Sequence, residues 1–451
     1  MSESVSVPAN LDPGGVKKLQ EKADWVLAEA KKAGATDAEV GISLSQGLSV
    51  SVRLGEVETL EFHRDRGISL TLYVGQRKGT ASSSDDSEAS ILRSIQSALD
   101  IARFADADEY AGVADETLLA SEFPDLELWH PQPLSAERAI EQAQQCEQAG
   151  RADSRIVNSE GASVSSGETL RAYATSRGFN AGGASTSHSI SCVLVGEQDG
   201  GMQRDYWYDS RRNPAQLASA SAIGEEARRR TLARLGARKV NTGNYPVLFT
   251  PSVAASLLGH FAGAISGGAL YRKSSFLEGE LGSQLFPEWF WLQEAPRLPG
   301  GAYSAAWDHD GIPTQNRFLV QNGVLQSWSL GLYAARRLQL SPTGNGGGIR
   351  NVTVANSGEN FSQLLRKMQR GLVLTEVMGP GVNIVTGDYS RGAAGFWVEQ
   401  GEIQYPVDEF TVAGHLKTML ASIVASGTDV DDRGNFQVGS LLLESMAVAG
   451  V

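Results

Sequence analysis

The sequence predicts an α+β protein whose N-terminal half consists of strand-hairpin plus helix units and whose C-terminal half is β-rich with a few helices. Three observations predict this. Between Ala38 and Ser83, polar and apolar residues alternate in short runs punctuated by Gly47, Gly55, Gly67 and Gly75, the period-two pattern of hairpins. Helical spacing brackets those runs at Val16–Lys32 and Ile91–Ala102. Beyond the basic stretch Ala237–Gly243 the chain becomes strand-like and glycine-rich.

The elements follow in order. Val16–Lys32 is a predicted helix, with Gly34 placed to end it. Strands are expected at Ala38–Leu44, Leu48–Leu54, Glu58–His63, Ile68–Val74 and Lys78–Ser83. Ser84-Asp85-Asp86 then supplies capping side chains for the helix Ile91–Ala102. The same order recurs further on: Ile190–Gly196 answers Ile68–Gly75, an aromatic strand Asp205–Tyr208 follows, and Asp209-Ser210 precedes a helix over Ala215–Leu235. This is a weak internal duplication. Between the copies, Phe104–Pro133 is acidic and irregular. Three domains are therefore expected: an N-terminal α/β domain at 1–104, a central α/β region resembling a second copy at 105–236, and a β-rich C-terminal domain at 240–451. In the last, Tyr245–Phe249 is a strand, and Thr250-Pro251 opens a helix from Ser252 to about Ile265. A further helix is expected at Phe361–Gln369, and Gly344–Gly348 is a turn cluster.

Length and composition narrow the function. The 451 residues leave room for about three domains. With 41% hydrophobic and 20% charged residues the chain is ordinary for a soluble protein, and 39 basic against 52 acidic side chains give a net charge of -13. That balance speaks against general adhesion to nucleic acid or anionic membrane. Met1–Pro8 has neither the basic region nor the apolar run of a signal peptide, and no stretch supplies the roughly 18 uninterrupted apolar residues of a membrane span. A cytoplasmic location is expected. Cys146 and Cys192 are expected to be buried or idle thiols rather than a disulfide framework or a metal site. Neither a Gly-x-Ser-x-Gly elbow nor a phosphate-binding loop is present.

The most informative stretch is Gly387-Asp388-Tyr389-Ser390-Arg391-Gly392-Ala393-Ala394-Gly395-Phe396-Trp397-Val398-Glu399, continuing through Gly401-Glu402-Ile403 to Tyr405-Pro406-Val407. Gly387, Gly392, Gly395 and Gly401 surround an acid, a base and a tyrosine, which predicts a shaped loop feeding a β-hairpin. Two readings of it stay open. Asp388, Tyr389 and Arg391 contact a peptide or partner, with the hairpin accepting an extended peptide as an added strand; or Asp388 and Arg391 pair across a turn and the glycines serve bends.

This stretch resembles the C-terminal signature of the TldD/PmbA family of bacterial peptidases, and of its PmbA (TldE) branch in particular. The similarity extends to the hairpins from Thr36 to Ser83, to Tyr271-Arg272-Lys273, to Asp310-Gly311-Ile312-Pro313-Thr314, to Met378–Gly414 and to Asn435–Ser440. In the catalytic TldD branch, a helix ahead of the basic pair carries HExxxH, two histidines ligating a metal and a glutamate acting as base. Counting back from Arg272-Lys273, those positions hold Gly259, His260 and Ala264 here. No side chain at the two ligand positions has a lone pair to donate. By itself His260 reads as a packed or hydrogen-bonded helix residue rather than a ligand. Asp308-His309-Asp310 reads as a structural turn, with Asp310 capping its own loop.

The resemblance implies a PmbA/TldE-type subunit of a cytoplasmic TldD/TldE metalloprotease that acts on unfolded or modified peptides. This chain would be the non-metal subunit, with no catalytic or metal-ligating residue and no cofactor of its own, while a zinc-type metal sits in a TldD-type catalytic partner. The two would form a dimer whose enclosed cavity admits unfolded peptide, with a homodimer as the state of the chain alone. His260, Asp388, Tyr389 and Arg391 are the candidate peptide or partner contacts. Two alternatives are a non-proteolytic regulator, for example a modulator of DNA gyrase, and a self-sufficient peptidase with an unrecognised site.

Overall fold

The structure, a computed structural model, describes residues 10–451; the Met1–Pro8 segment read for a signal peptide lies outside the described residues. The chain divides into two compact units. One runs through Val195 and adds Arg204–Arg229 and Ala306–Pro313; the other takes in Gly196–Gln203, Arg230–Ala305 and Thr314–Val451.

The first unit is ordered α1 (Gly15–Lys32), β1 (Asp37–Arg53), β2 (Glu56–Val74), β3 (Arg77–Ser83), α2 (Glu88–Phe104), then α3 (Ala136–Gly150), β4 (Ile156–Thr175), β5 (Asn180–Gln198), β6 (Gly201–Arg211) and α4 (Ala220–Ala233). Helix, three strands, helix occurs twice, and the sheet order β3-β2-β1-β4-β5-β6 joins the copies through their first strands. The duplication faintly legible in the sequence is thus laid out symmetrically in the sheet. Alternation explains why the helices lie where they do. Val40, Ile42, Val50 and Val52 of β1 are buried while Ser43, Ser45, Ser49 and Ser51 point the other way and stay partly or fully accessible. Ala23, Val26 and Ala30 of α1 and Ile91, Ile95 and Leu99 of α2 pack in one cluster with Val40, Ile42, Leu70 and Leu72.

Two expected breaks are absent. Gly47 and Gly67 lie inside continuous strands, so the four predicted strands before residue 75 are two long ones. At Gly47 the reason is close approach: a Cβ there would come within 2.5 Å of the His63 ring and 2.8 Å of the Ser166 carbonyl. Gly55 and Gly75 do turn the chain, at φ 88° and 61°. Ser87 rather than the preceding triplet caps α2, accepting from the Ser90 amide. The predicted helix at 215 begins as a short 3-10 turn at Pro214–Gln216, and α4 starts only at Ala220. Cys146 and Cys192 are free and buried, and the neighbouring Cys192 together with burial holds the Cys146 thiol protonated.

The second unit continues with β7 (Gly243–Phe249), α5 (Pro251–Ala264), α6 (Gly267–Tyr271), β8 (Leu292–Glu294), β9 (Arg317–Gln321), β10 (Val324–Leu325), α7 (Leu332–Leu338), β11 (Val352–Val354) and α8 (Phe361–Met368). It ends with β12 (Gly371–Met378), β13 (Val382–Asn383), β14 (Asp388–Glu399), β15 (Glu402–His415), α9 (Leu416–Ala421), β16 (Ile423–Ser426), β17 (Phe436–Gln437) and β18 (Leu441–Ala449). Strands β12-β7-β18-β15-β14 pair in sequence, and β14 pairs back onto β12, so the pairing closes on itself. A small sheet, β10-β9-β8-β11-β17, stands beside it. Phe249, Leu257, Phe261, Phe286 and Phe290 lie in the shared core, each no more than 2% exposed. Thr250 precedes α5 with Pro251 at its first turn, although the Thr250 hydroxyl donates to the Leu374 carbonyl instead of capping. Asn360 and Gln363 form a capping box on α8.

The Trp307–Pro313 segment makes a tight turn closed by a bridge between Trp307 and Pro313. The carboxylate that accepts its amides is Asp308, from Asp310 at 2.9 Å and Ile312 at 3.0 Å, where the sequence pointed to Asp310. Among the described residues no helix is long and apolar enough to cross a membrane.

Candidate functional site

The stretch expected as a loop is the strand β14, and its geometry decides which of its side chains can act together. Successive residues alternate faces, so Tyr389 and Arg391 share one face and Asp388 belongs to the other. Asp388 is exposed and accepts from the Thr386 hydroxyl at 2.6 Å. Arg391 does not pair with it. Its Nε and Nη2 donate to the carbonyls of Met378 (3.0 Å) and Val377 (3.2 Å) on β12, which fixes the guanidinium while Nη1 makes no such bond. Both edges of β14 are occupied, by β15 on one side and by β12 and β13 on the other, so a peptide cannot add to it as a strand.

Helix α5 brings His260 to the same place. The imidazole meets the Tyr389 ring edge to face, with centroids 6.1 Å apart and an interplanar angle of 73°. Burial, and then the Arg391 charge, push the His260 pKa below its ordinary value, and its Nε2 is buried with no hydrogen-bond partner. Burial likewise pushes the Tyr389 hydroxyl up to about 12, against the pull of Arg391. The three side chains therefore form one cluster: a neutral imidazole, a neutral phenol and a fixed cation. Such a group can hold a carbonyl or carboxylate, but it contains no nucleophile paired with a base. The chain separates His260 from Tyr389 by more than a hundred residues, and the carbonyls of Val377 and Met378 that orient Arg391 carry no side-chain signal, so sequence alone did not show the convergence.

The helix that would carry metal ligands is equally plain. Gly259 borders open space, with nothing within 4 Å of where a Cβ would stand, and Ala264 is fully buried in the core. Among the described residues no three His, Cys, Asp or Glu side chains come together in a way that could hold a metal ion. The residues present do not fit the zinc site of a metallopeptidase. Arg272 and Lys273 are exposed just past α6, with the Arg272 guanidinium 5.1 Å from the Tyr271 ring centroid and Nη1 donating to the Tyr271 hydroxyl at 3.0 Å.

Titration of His260 gives a checkable result. A histidine with a lowered folded pKa contributes stability that is present above its unfolded value and is lost as pH falls through the folded one. Below about pH 6.5, wild-type stability should therefore fall more steeply than that of His260→Gln, which cannot charge. Urea unfolding between pH 7.5 and 5 measures it; parallel curves would contradict the burial of a neutral imidazole here.

A doubled α/β unit is followed by a β unit whose strand pairing closes on itself, and in the latter His260, Tyr389 and Arg391 gather at a helix whose Gly259 and Ala264 have no side chain able to donate to a metal. Sequence profiles of the PmbA/TldA metallopeptidase match in three consecutive parts: domain 1 over residues 38–102, the central domain over 129–235 and the C-terminal domain over 242–450. The chain belongs to this PmbA/TldD metallopeptidase family, in its PmbA/TldE branch. It is 47% identical to the metalloprotease PmbA of Escherichia coli O157:H7, over 96% of this chain and 97% of that one. Haemophilus influenzae has a PmbA homolog 44% identical over 96% of both chains, and a TldD homolog 22% identical over 87% of this chain and 86% of its own. In structure the chain is similar to a protein from Bacteroides thetaiotaomicron described as a candidate modulator of DNA gyrase, with a TM-score of 0.91 and 28% identity over 96% of this chain and 99% of that one.

Proposed function

We propose that this protein is the metal-free subunit of a cytoplasmic TldD/TldE-type peptidase, contributing peptide contacts while a TldD-type partner contributes metal and base. The observation that carries the reading is the C-terminal turn of α5: Gly259, His260 and Ala264 stand where a catalytic subunit needs two imidazoles and a carboxylate. Occurrence of a PmbA homolog and a TldD homolog in one organism supports a two-chain arrangement. Unfolded or modified peptides are the substrate class, and the His260, Tyr389 and Arg391 cluster is the contact that this chain offers them. Asp388, on the opposite face of β14, serves a partner or only its own turn.

The test is reconstitution. Peptide cleavage should appear when the chain is mixed with a TldD-type subunit, and Arg391→Met should raise KM about tenfold with kcat little changed, the loss of one charge-assisted contact. An unchanged KM removes Arg391 from the peptide site. A second reading, regulation of DNA gyrase without proteolysis, is favoured by the description of the Bacteroides structure. It requires binding to gyrase with no TldD-type chain present and indifference to replacement of Asp388 and Arg391.

A further inference from the structure

The C-terminal turns of α5 present a bare strip next to the polar cluster. Gly259 and Gly263, one turn apart on the same face, have nothing within 4 Å of where a Cβ would stand, and His260 neighbours Gly263 at the i, i+3 spacing. With no side chain at either glycine, a second backbone can lie against the helix there. Beside this strip the three clustered side chains leave polar groups unused. His260 Nε2 is buried with no hydrogen-bond partner. Arg391 gives Nε and Nη2 to the Met378 and Val377 carbonyls and keeps Nη1. Tyr389 is 2% exposed, and its hydroxyl makes no hydrogen bond among the described residues.

Charge decides which ligand these groups suit. Among the described residues no acid pairs with Arg391, and it is the single charge that acts on the His260 and Tyr389 rings. Asp388, the nearest acid in the sequence, belongs to the other face of β14 and is bonded to Thr386. A half-buried cation without a counter-ion, flanked by two neutral rings, favours an anion over a neutral carbonyl, because a charge-assisted hydrogen bond is about twice as strong as a neutral one. The residue at position 260 points the same way. Where HExxxH places a glutamate, whose negative charge would repel a carboxylate, this chain has an imidazole that burial keeps neutral. A peptide carries carboxylates in two forms, and the bare face of α5 selects between them. A side-chain carboxylate reaches out from its backbone, whereas the C-terminal carboxylate is part of the backbone and arrives only where that backbone can lie close.

We propose that His260, Tyr389 and Arg391 form a subsite for the free C-terminal carboxylate of a peptide whose last residues run along the Gly259 and Gly263 face of α5. Arg391 Nη1, His260 Nε2 and the Tyr389 hydroxyl are the donors, and the subsite retains the carboxyl end of a peptide or of a cleavage product. This rests on the reading of the cluster as a peptide contact and adds which part of the peptide it holds.

Equilibrium binding tests the two separately. Fluorescence anisotropy follows the full chain, alone and with a metal-free TldD-type subunit, against a short labelled Ala/Ser/Gly peptide with a free C-terminus, the same peptide as its C-terminal amide, and that amide with one internal glutamate. The free acid should bind about tenfold more tightly than either amide, the contribution of one charge-assisted contact. Arg391→Met should erase this preference and Arg391→Lys should keep part of it, each at an unchanged melting temperature. His260→Glu, which puts back the acid of HExxxH, should make the free acid the weaker ligand. Equal binding of acid and amide by the wild type would overturn the carboxylate subsite while leaving the peptide contact standing. A glutamate-bearing amide bound as tightly as the free acid would overturn the assignment to the C-terminus. Binding of none of these peptides would remove the peptide contact and the subsite together.

Discussion

Replacing Gly395 by alanine should destabilise the second unit by about 3–5 kcal/mol, lowering its melting temperature by roughly 6–20 °C. A Cβ at this position would lie 1.8 Å from the Val373 carbonyl oxygen and 3.1 Å from the Leu374 Cα, inside the β12–β14 pairing. Neither atom belongs to a flexible side chain, so two strands of a closed ring would have to move apart. Gly392, three residues earlier on the same strand, is the internal control. Its Cβ would meet Met378 at an ordinary 3.7 Å, and Gly392→Ala should be nearly neutral. Calorimetry on the pair settles the matter; equal melting temperatures would mean that the strands do not approach as closely as described.

Glu294→Ala should cost a similar amount, about 3–5 kcal/mol, by a different route. Glu294 is 1% exposed; one carboxylate oxygen accepts from Asn345 Nδ2 and the Arg350 amide, both at 2.8 Å, and the other lies 3.4 Å from Arg317 Nε. Removing it strands the Arg317 guanidinium without its carboxylate and frees the Gly344–Gly348 turn, which Asn345 and Arg350 tie down through Gly346 and Gly348. Burial outweighs these partners and raises the Glu294 pKa. A raised folded pKa means that its favourable contribution is fully present in acid and is lost as pH rises through the folded value. Glu294→Gln keeps both accepted hydrogen bonds without the buried charge, so it should lose far less than alanine at pH 7. Equal losses for Gln and Ala in urea titration would show that charge, not hydrogen bonding, holds the turn.

Those glycines mark what the sequence could and could not disclose. Helices α1, α2, α5 and α8 were legible to within a few residues because apolar spacing and end signals act locally. Glycine has two uses that look alike in one dimension. Gly55, Gly75 and Gly401 turn the chain at positive φ, whereas Gly47 and Gly395 sit within strands because another group passes too close for a Cβ. Reading all of them as turns cut long strands in two and made β14 a loop. The sequence offered the hairpin that β14 opens to an added peptide strand; in the fold β14 itself is paired on both edges, by β15 on one side and by β12 and β13 on the other. Missing ligands could be read from Gly259 and Ala264 alone, since no fold can give them a lone pair. The cluster at His260 needed the fold, because only packing of α5 against β14 joins Tyr389 and Arg391 to it and leaves Asp388 out.

Metal content of the isolated chain tests most directly whether its hydrolytic power comes from elsewhere. After dialysis against micromolar zinc and removal of free ion, elemental analysis should find well under one zinc per chain and no peptide cleavage, with both appearing only when a TldD-type subunit is added. One tightly held zinc per chain, together with cleavage by the chain alone, would contradict it.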